Sequence, residues 1–436
     1  MRGLVLAAPS SGSGKTVVAL AILRALRSRG VLVAAAKAGP DYIDAAFLAA
    51  AAGGTGRNLD PWAMRRTTIA ANLAALAPAE FALVEGAMGL FDGIGSGAEG
   101  STAALAKSLG WPIVLVADAQ GAGGSIAALV AGFARHRGDT PLAGVILNRV
   151  GSARHRALLA AALAAELPDL PLLGALPRDR ALALPSRHLG LVQAMEHDAL
   201  ELFLEGAAAL AAEHIDLDLC LALARPASFG AEAASPSVPP LGARVAVAWD
   251  AAFAFAYPSV LDGWRREGAE IGFFSPLADE APGRGADAVY LPGGYPELHA
   301  GRLAAAVRFR QGLAAAASRG AAIYGECGGY MVLGAGLVDE EGARHAMTGL
   351  LPLETSFRER RLHLGYRRVA LEAEGILGTK GAAYRGHEFH YATIIDEGAG
   401  APLFDARDGT GVPLGLMGRV RGRVMGSFVH LIDRAP

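Results

Sequence analysis

Two consecutive α/β units, each built on a mostly parallel sheet, are the fold class this sequence predicts. Three observations carry it. Short β-rich apolar runs alternate with helical runs in both halves of the chain. A glycine-rich turn follows a strand in each half. At 436 residues the chain also exceeds one ordinary core and suits two domains.

The first unit reads in order. Residues 2–8 form a strand. Thr16 to Arg29 forms a helix with Val17, Leu20, Ile22, Leu23 and Leu26 as its apolar positions, stopped by Gly30. Val31–Ala36, Phe81–Val84, Ile113–Ala117 and Gly144–Leu147 are further strands with helical segments between them, an alternation that implies a parallel sheet covered on both faces. The stretch from Pro226 to Pro240 is dense in Pro, Ser and Ala and lacks a sustained period, so residues 1–225 are assigned to a first domain, 226–241 to a linker and 242–436 to a second domain. The second domain opens with the strand Arg244–Ala248. Val289–Leu291 runs into Pro292-Gly293-Gly294, and Ala321–Tyr324 runs towards Cys327, ahead of a helix starting near Tyr330.

Composition removes several classes. A net charge of −2 without a basic cluster argues against nucleic acid or an anionic membrane surface as partner. Two cysteines, Cys220 and Cys327, argue against a disulfide framework and for a reducing cytoplasm. The apolar run near residue 210 is broken by Glu205 and Glu213, so no membrane span is expected. The apolar start at Leu4–Ala8 is short and passes into a glycine turn, which reads as a buried strand rather than a signal peptide.

Pro9-Ser-Ser-Gly-Ser-Gly-Lys-Thr16 lies between a strand and a helix. Backbone N–H groups around Gly12, Ser13 and Gly14 can converge on phosphate oxygens, Lys15 can reach the outer phosphates and the Thr16 hydroxyl can ligate Mg²⁺. Pro9 stands where the usual pattern begins with glycine. Acids collect just after two strands: Asp41 and Asp44, then Glu85 and Asp92. Ligands of open α/β sheets gather at the carboxyl ends of strands, so these acids suit Mg²⁺ coordination and transition-state positioning, against ordinary loop acids and caps.

Cys327 sits between Gly325 and Gly328 at a strand-to-helix turn, the arrangement that exposes a nucleophile. A helix N-terminus lowers a thiol pKa, and His430, after another β-rich run, is placed to act as its partner. Backbone N–H groups at Gly294 and Gly328 are candidates for an oxyanion hole. A thiol suited to opening an amide in one half, and a loop suited to a nucleoside triphosphate in the other, predict an enzyme that frees ammonia in one half and uses ATP in the other to make a new amide.

At this point the chain resembles the cobyrinic or hydrogenobyrinic acid a,c-diamide synthases of cobalamin biosynthesis. The resemblance spans both halves and rests on Ser11–Thr16, Gly39-Pro-Asp-Tyr-Ile-Asp44, Glu85-Gly-Ala-Met-Gly-Leu-Phe-Asp-Gly93, Leu291-Pro-Gly-Gly-Tyr-Pro-Glu297, Gly325-Glu-Cys-Gly-Gly-Tyr330 and Gly386-His-Glu-Phe-His-Tyr391. It implies a P-loop parallel-sheet synthetase domain similar to dethiobiotin synthetase, followed by an α/β class I glutamine amidotransferase domain. Asp41, Glu85 and Asp92 become synthetase-site residues, with Thr16, Asp41 and Glu85 on Mg²⁺, and Asn148 falls where related synthetases contact adenine. Cys327 becomes the glutaminase nucleophile and His430 its activating partner. The expected co-substrates are ATP and glutamine. The expected substrate is hydrogenobyrinic or cobyrinic acid, amidated at side chains a and c through an acyl phosphate. The expected setting is the cytoplasm, with a homodimer left open.

Arg358, Arg360, Arg361, Arg367 and Arg368 are candidates to pair with carboxylate arms of the macrocycle, set against a solvated basic loop. His387 and His390 are candidate macrocycle contacts or structural histidines. One departure stands out. Many class I glutaminases carry His-Pro-Glu, whereas this chain has His430-Leu-Ile-Asp433. No carboxylate occupies the usual third place, which leaves Cys327 and His430 to act alone. Cobyric acid synthase and a nickel-sirohydrochlorin diamide synthase are the nearest enzymatic alternatives. A partition-type nucleotide-switched ATPase is the alternative of another class, and it gives the Cys327 turn no role.

Overall fold

The computed structural model describes residues 1–435 except 141, 180–181, 183–185, 188–189 and 230–234. Residues 230–234 of the expected linker lie outside the described residues. The chain divides into two units, Met1–Trp62 with Ile69–Ala233, and Ala63–Thr68 with Ala234–Pro436. A six-residue piece of the N-terminal sequence therefore packs with the C-terminal unit.

In the first unit, β1 (Arg2–Ala7), β2 (Val33–Ala38), β3 (Arg57–Leu59), β4 (Phe81–Glu85), β5 (Ile113–Asp118), β6 (Leu142–Val150) and β7 (Leu172–Pro177) form a parallel sheet in the order β3-β2-β4-β1-β5-β6-β7. The chain builds one side of the sheet from β1, then crosses to build the other, so β1 lies at the topological switch. β1, β4 and β5 are runs of Val, Leu, Ile, Ala and Phe buried along nearly their whole length, as expected for strands covered on both faces. Arg225–Pro226, where the first expected domain meets the expected linker, pairs antiparallel with Arg2 and Gly3 at the start of β1.

Helix α1 (Lys15–Ser28) buries Val18, Leu20, Ile22, Leu23 and Leu26 against this sheet and ends at the expected place. Its start is unusual in a useful way. Gly14 holds the N-cap position at φ 88°, no side chain caps the helix, and no acid occupies its first turn. The first N–H groups and the positive dipole end are left for an anionic ligand. A Cβ at Gly14 would overlap Asn148 Nδ2, so both close approach and left-handed backbone require glycine there. By contrast, α2 (Tyr42–Ala52) is capped: Asp41 accepts from the backbone of Ile43 at 2.8 Å and Asp44 at 3.0 Å.

In the second unit, Glu270–Phe274, Arg244–Ala248, Ala288–Leu291, Ala322–Glu326 and Val424–Ser427 lie side by side in parallel, and Arg419–Arg421 closes one edge antiparallel. A five-stranded antiparallel sheet runs in the order Pro413–Met417, Phe404–Asp408, His363–Leu371, Ala383–His390, His430–Arg434. The last two residues of the turn between these sheets, Phe428 and Val429, carry the chain from the parallel sheet directly to His430. Of these parallel strands the sequence predicts those at Arg244–Ala248, Ala288–Leu291 and Ala322–Glu326; it names neither Glu270–Phe274 nor the strands of this antiparallel sheet. Among the described residues no helix is long and apolar enough to cross a membrane.

Candidate active sites

The first unit gathers its predicted residues at the carboxyl ends of β1, β2 and β4. Thr16 donates its hydroxyl to Glu85 Oε1 at 2.7 Å. Lys15 Nζ donates to the carbonyls of Met88 at 2.6 Å and Ser10 at 3.4 Å. The loop after β4 lies directly on the phosphate loop, because Leu90 N–H bonds to Ala8 O at 2.8 Å. Asp92 shapes that loop by accepting from Gly89 N–H at 2.7 Å. Asn148 donates its side-chain amide to Ser13 O at 3.0 Å, so in this structure it braces the phosphate loop.

The sequence reading gave Lys37 no role, and the structure puts it at the centre. Its ammonium lies 2.6 Å from Asp44 and 2.8 Å from Glu85 and is almost wholly buried. Burial works to lower its pKa, but Asp44, Glu85 and Asp41 outweigh that and raise it, so it stays charged. Lys15 is shifted the other way, by burial and then by the charge of Lys37. Burial and the neighbouring Asp44 push Asp41 up to about 7, against the pull of Lys37. Burial likewise raises Glu85, again opposed by Lys37. A lysine ending the alanine-rich strand Val33–Ala38, followed closely by Asp41 and Asp44, was the signal available in the sequence.

These oxygens suit a hard divalent cation. Glu85 Oε2 is buried without a hydrogen-bond partner, and Glu85 Oε1 shares the Thr16 hydroxyl. Carboxylate and hydroxyl donors of this kind fit Mg²⁺ delivered with a nucleotide.

In the second unit Cys327 has φ 47° and ψ −105°, backbone that a side-chain-bearing residue adopts only when its surroundings enforce it. What enforces it is visible. Cys327 N–H bonds to Ser427 O at 2.8 Å, and Tyr324 and Gly325 are locked into the parallel sheet on either side. The thiol is 2% exposed and donates to Phe389 O at 3.8 Å. Burial pushes its pKa up, and the charge of Glu297 adds to this, while the Gly328 N–H pulls the other way. The helix-start effect expected from sequence is therefore outweighed by burial.

His430 lies close to Cys327. A Cβ added to Gly293 would overlap His430 Cε1 and would lie 3.1 Å from Nε2 and 3.3 Å from Cys327 Cβ. The missing side chain at Gly293 thus leaves the imidazole and the cysteine facing one small space. Burial, with His387 and His390 next, lowers His430 to about 3, so it is neutral and able to accept a proton. The two proposed oxyanion positions also converge, since a Cβ on Gly328 would lie 3.1 Å from Gly294 N.

Asp433 is fully buried and bound by Arg65 at 2.8 Å. Arg367 bonds to Glu388 at 2.6 Å, which takes it out of the exposed arginine cluster, and Arg360 pairs with Glu340. His390 bonds to Glu388 at 2.8 Å and stacks on Phe428 at 3.9 Å. Burial tends to raise Glu388, but His390 and Arg367 together hold it at about 2.

Comparison with known proteins places both halves of the chain in described domain families. Residues 4–192 match the CobQ/CobB/MinD/ParA nucleotide binding domain, and residues 244–435 match the CobB/CobQ-like glutamine amidotransferase domain. Over 436 residues the chain is 56% identical to a hydrogenobyrinate a,c-diamide synthase of Brucella anthropi, covering 99% of each chain. It is 55% identical over 434 residues to the protein of that name from Rhizobium meliloti, again covering 99% of each. The protein of that name from Rhodobacter capsulatus is 53% identical over 434 residues, covering 99% of this chain and 98% of the other.

Proposed function

This chain belongs to the hydrogenobyrinate a,c-diamide synthase family of glutamine-dependent amidating ligases, and from that premise we propose that it converts the a and c side-chain carboxylates of hydrogenobyrinic acid to amides through acyl phosphates. The observation that carries the glutaminase half is the strained Cys327 facing His430 across Gly293.

Glutamine enters beside Cys327. His430 Nε2 takes the thiol proton as sulfur attacks the side-chain carbonyl, and the oxyanion that forms faces the N–H groups of Gly294 and Gly328. His430 returns the proton to the departing ammonia. Water then cleaves the thioester, with His430 again holding the proton, and glutamate leaves.

In the first unit the open start of α1 and the loop from Pro9 to Gly14 receive the phosphates of ATP. Lys15 exchanges its carbonyl partners for phosphate oxygens. Thr16 and Glu85, with Asp41 nearby, are the residues that would hold Mg²⁺, whose bound charge would offset that of the phosphates. A corrin carboxylate attacks the γ-phosphorus, ADP departs, and ammonia displaces phosphate from the acyl phosphate. Lys37 keeps Glu85 and Asp44 fixed, Asp92 fixes the loop that covers Lys15, and Asn148 fixes the phosphate loop. Water must be kept out of this step, since it would hydrolyse the acyl phosphate.

The deciding experiment is mass spectrometry of hydrogenobyrinic acid after incubation with Mg-ATP and glutamine. The product should carry amino in place of hydroxyl at two carboxyl groups. Unchanged corrin under conditions where ATP binds would refute the assignment, and turnover of cobyrinic acid alone would move it to the cobalt-containing substrate. A cytoplasmic setting follows from the same reading.

A further inference from the structure

We propose that Glu326, the residue immediately before the nucleophile, is the positioning carboxylate for His430 and completes a Cys327–His430–Glu326 relay. The proposal rests on the reading of Cys327 and His430 as nucleophile and base.

The geometry begins with the strand Ala322–Glu326. Glu326 is the last residue of that strand and Cys327 the first beyond it. Glu326 Oε2 comes to 3.9 Å from His430 Nδ1, while Nε2 is the ring nitrogen near the Cys327 side of Gly293. Carboxylate and thiol thus address opposite nitrogens of one imidazole. Glu326 is also tied to the histidine's own strand, since Leu431 N–H donates to Oε1 at 3.0 Å. Tyr290 donates to Oε2 at 2.6 Å and Tyr324 to Oε1 at 3.0 Å. Three donors from three strands hold the group in one orientation. Such fixing lets a carboxylate select an imidazole tautomer and steady the imidazolium as it forms.

The other carboxylates near His430 are committed elsewhere. Both oxygens of Asp433 are engaged by Arg65. Glu388 faces His430 electrostatically, but its oxygens bond to His390 and Arg367. The resting separation of 3.9 Å exceeds a hydrogen bond. Catalytic contacts of this kind tighten when the reacting complex forms, and here the pull grows once His430 takes the thiol proton and becomes cationic. Burial pushes Glu326 up to about 7, against Tyr290, the Leu431 N–H and Tyr324, so its ionisation falls in the working range of an enzyme. The groups facing this pair are Tyr290 and Tyr324 around Glu326, and His387, His390 and Glu388 around His430.

The test uses the full chain. Glu326→Gln should lower kcat for glutamine hydrolysis on the order of 10³-fold with KM for glutamine little changed, as expected when a positioned acid is replaced by its amide and the tautomer is lost. The acid limb of the pH profile, expected near 7 in the unaltered enzyme, should disappear. Glu326→Asp should restore part of the rate. In the unaltered enzyme, ¹⁵N NMR of labelled histidine, assigned through loss of a signal in His430→Asn, should show His430 with its proton on Nδ1. A proton on Nε2 instead, or a Glu326→Gln rate within about threefold of the original, would overturn the proposal. The NMR result decides the matter even where Glu326→Gln fails to fold. Full glutamine use by Cys327→Ala or His430→Asn would instead refute the underlying reading of the site.

Discussion

Arg65 grips Asp433 from two directions: its backbone N–H reaches one carboxylate oxygen at 2.8 Å and its guanidinium reaches the other at 2.8–2.9 Å. The same guanidinium continues to Ser235 at 2.9 Å and to the Pro236 carbonyl at 3.1 Å. Asp433 is wholly buried, so this pair ties the segment Ala63–Thr68 to the rest of the second unit. Breaking a buried pair strands a charge, and Asp433→Ala should cost about 3–5 kcal/mol of stability in urea unfolding. Asp433 lies one residue beyond the usual third place of a glutaminase triad. The structure gives it this structural partner, so glutamine hydrolysis per folded molecule should survive its loss. A fall in kcat as deep as that of Cys327→Ala, in protein shown to be folded, would contradict this.

Lys37→Met removes the cation between Asp44 and Glu85 while keeping similar bulk. The carboxylates then face one another without a counter-charge, and protein stability near neutral pH should drop by about 3–5 kcal/mol. The sign of the pH effect follows. Without Lys37 the folded acids hold their protons more tightly than unfolded ones, so the defect should shrink as pH falls and the acids are neutralised. Urea midpoints measured for both proteins across pH 5 to 8, on the order of the range where buried acids titrate, check this. A constant difference would show that the acids are not coupled to Lys37.

Much of this was legible in the sequence, and the reasons differ by region. The phosphate loop and the Cys327 turn are local devices: glycines adjoin the functional residue, and a strand and a helix flank it. The edges of β1, α1, Arg244–Ala248 and the strand before Cys327 were therefore readable to within a few residues. Lys37 was hidden because its partners arrive from α2 and β4, and a single lysine in an alanine-rich strand carries no pattern of its own. The antiparallel sheet was hidden for a similar reason. Its strands mix Arg, His and Glu with apolar residues, as in His363–Leu371 and Ala383–His390, and pair over long sequence distances. The common glutaminase motif has its third carboxylate two residues after the histidine, where this chain has Ile432. Glu326 stood beside the nucleophile, and only the fold brings the residue before Cys327 to the far side of His430.

The second unit should be acid-labile, in a way its histidines determine. His387 is lowered to about 3 by burial and then Arg367, and His430 to about 3 by burial and its neighbouring histidines. Both are neutral when folded, whereas unfolded histidine takes a proton near 6.5. Between about pH 6.5 and 4.5 the unfolded chain gains two protons at these sites, while Glu326, held up at about 7, gives the folded state one. The net slope is a loss of about 1.4 kcal/mol per pH unit on acidification. Below about 4.5 it steepens, because unfolded Glu326 and Glu388 then bind protons while folded Glu388 resists down to about 2. Denaturant unfolding followed by a second-unit tryptophan signal checks it, and His387→Asn should reduce the slope in the upper window.

Two substitutions separate the halves of the enzyme. Lys15→Ala removes the cation proposed to receive the outer phosphates, so amidation should fail with either glutamine or ammonium as nitrogen source. Cys327→Ala removes the proposed nucleophile alone, so glutamine use should vanish while ammonium still supports amide formation. Product formation with each nitrogen source measures both. Equal loss of both nitrogen sources in folded Cys327→Ala protein would contradict the division of labour.

Gly293→Ala probes the space between base and nucleophile with a single methyl. The added Cβ would overlap His430 Cε1 and crowd Cys327 Cβ at 3.3 Å. Neither neighbour can yield easily. Cys327 is fixed by its strained backbone and the Ser427 carbonyl, and His430 begins a buried strand paired with Ala383–His390. The imidazole must therefore swing away from the sulfur. A displacement of about 1 Å between reacting groups is enough for a loss on the order of 10²-fold in rate. Glutamine hydrolysis should fall by that order, with ammonium-driven amidation preserved. A substitution with a small methyl that left glutaminase kcat intact would mean that His430 Nε2 does not work from the position seen here, and the roles of both His430 and Glu326 would have to be reassigned.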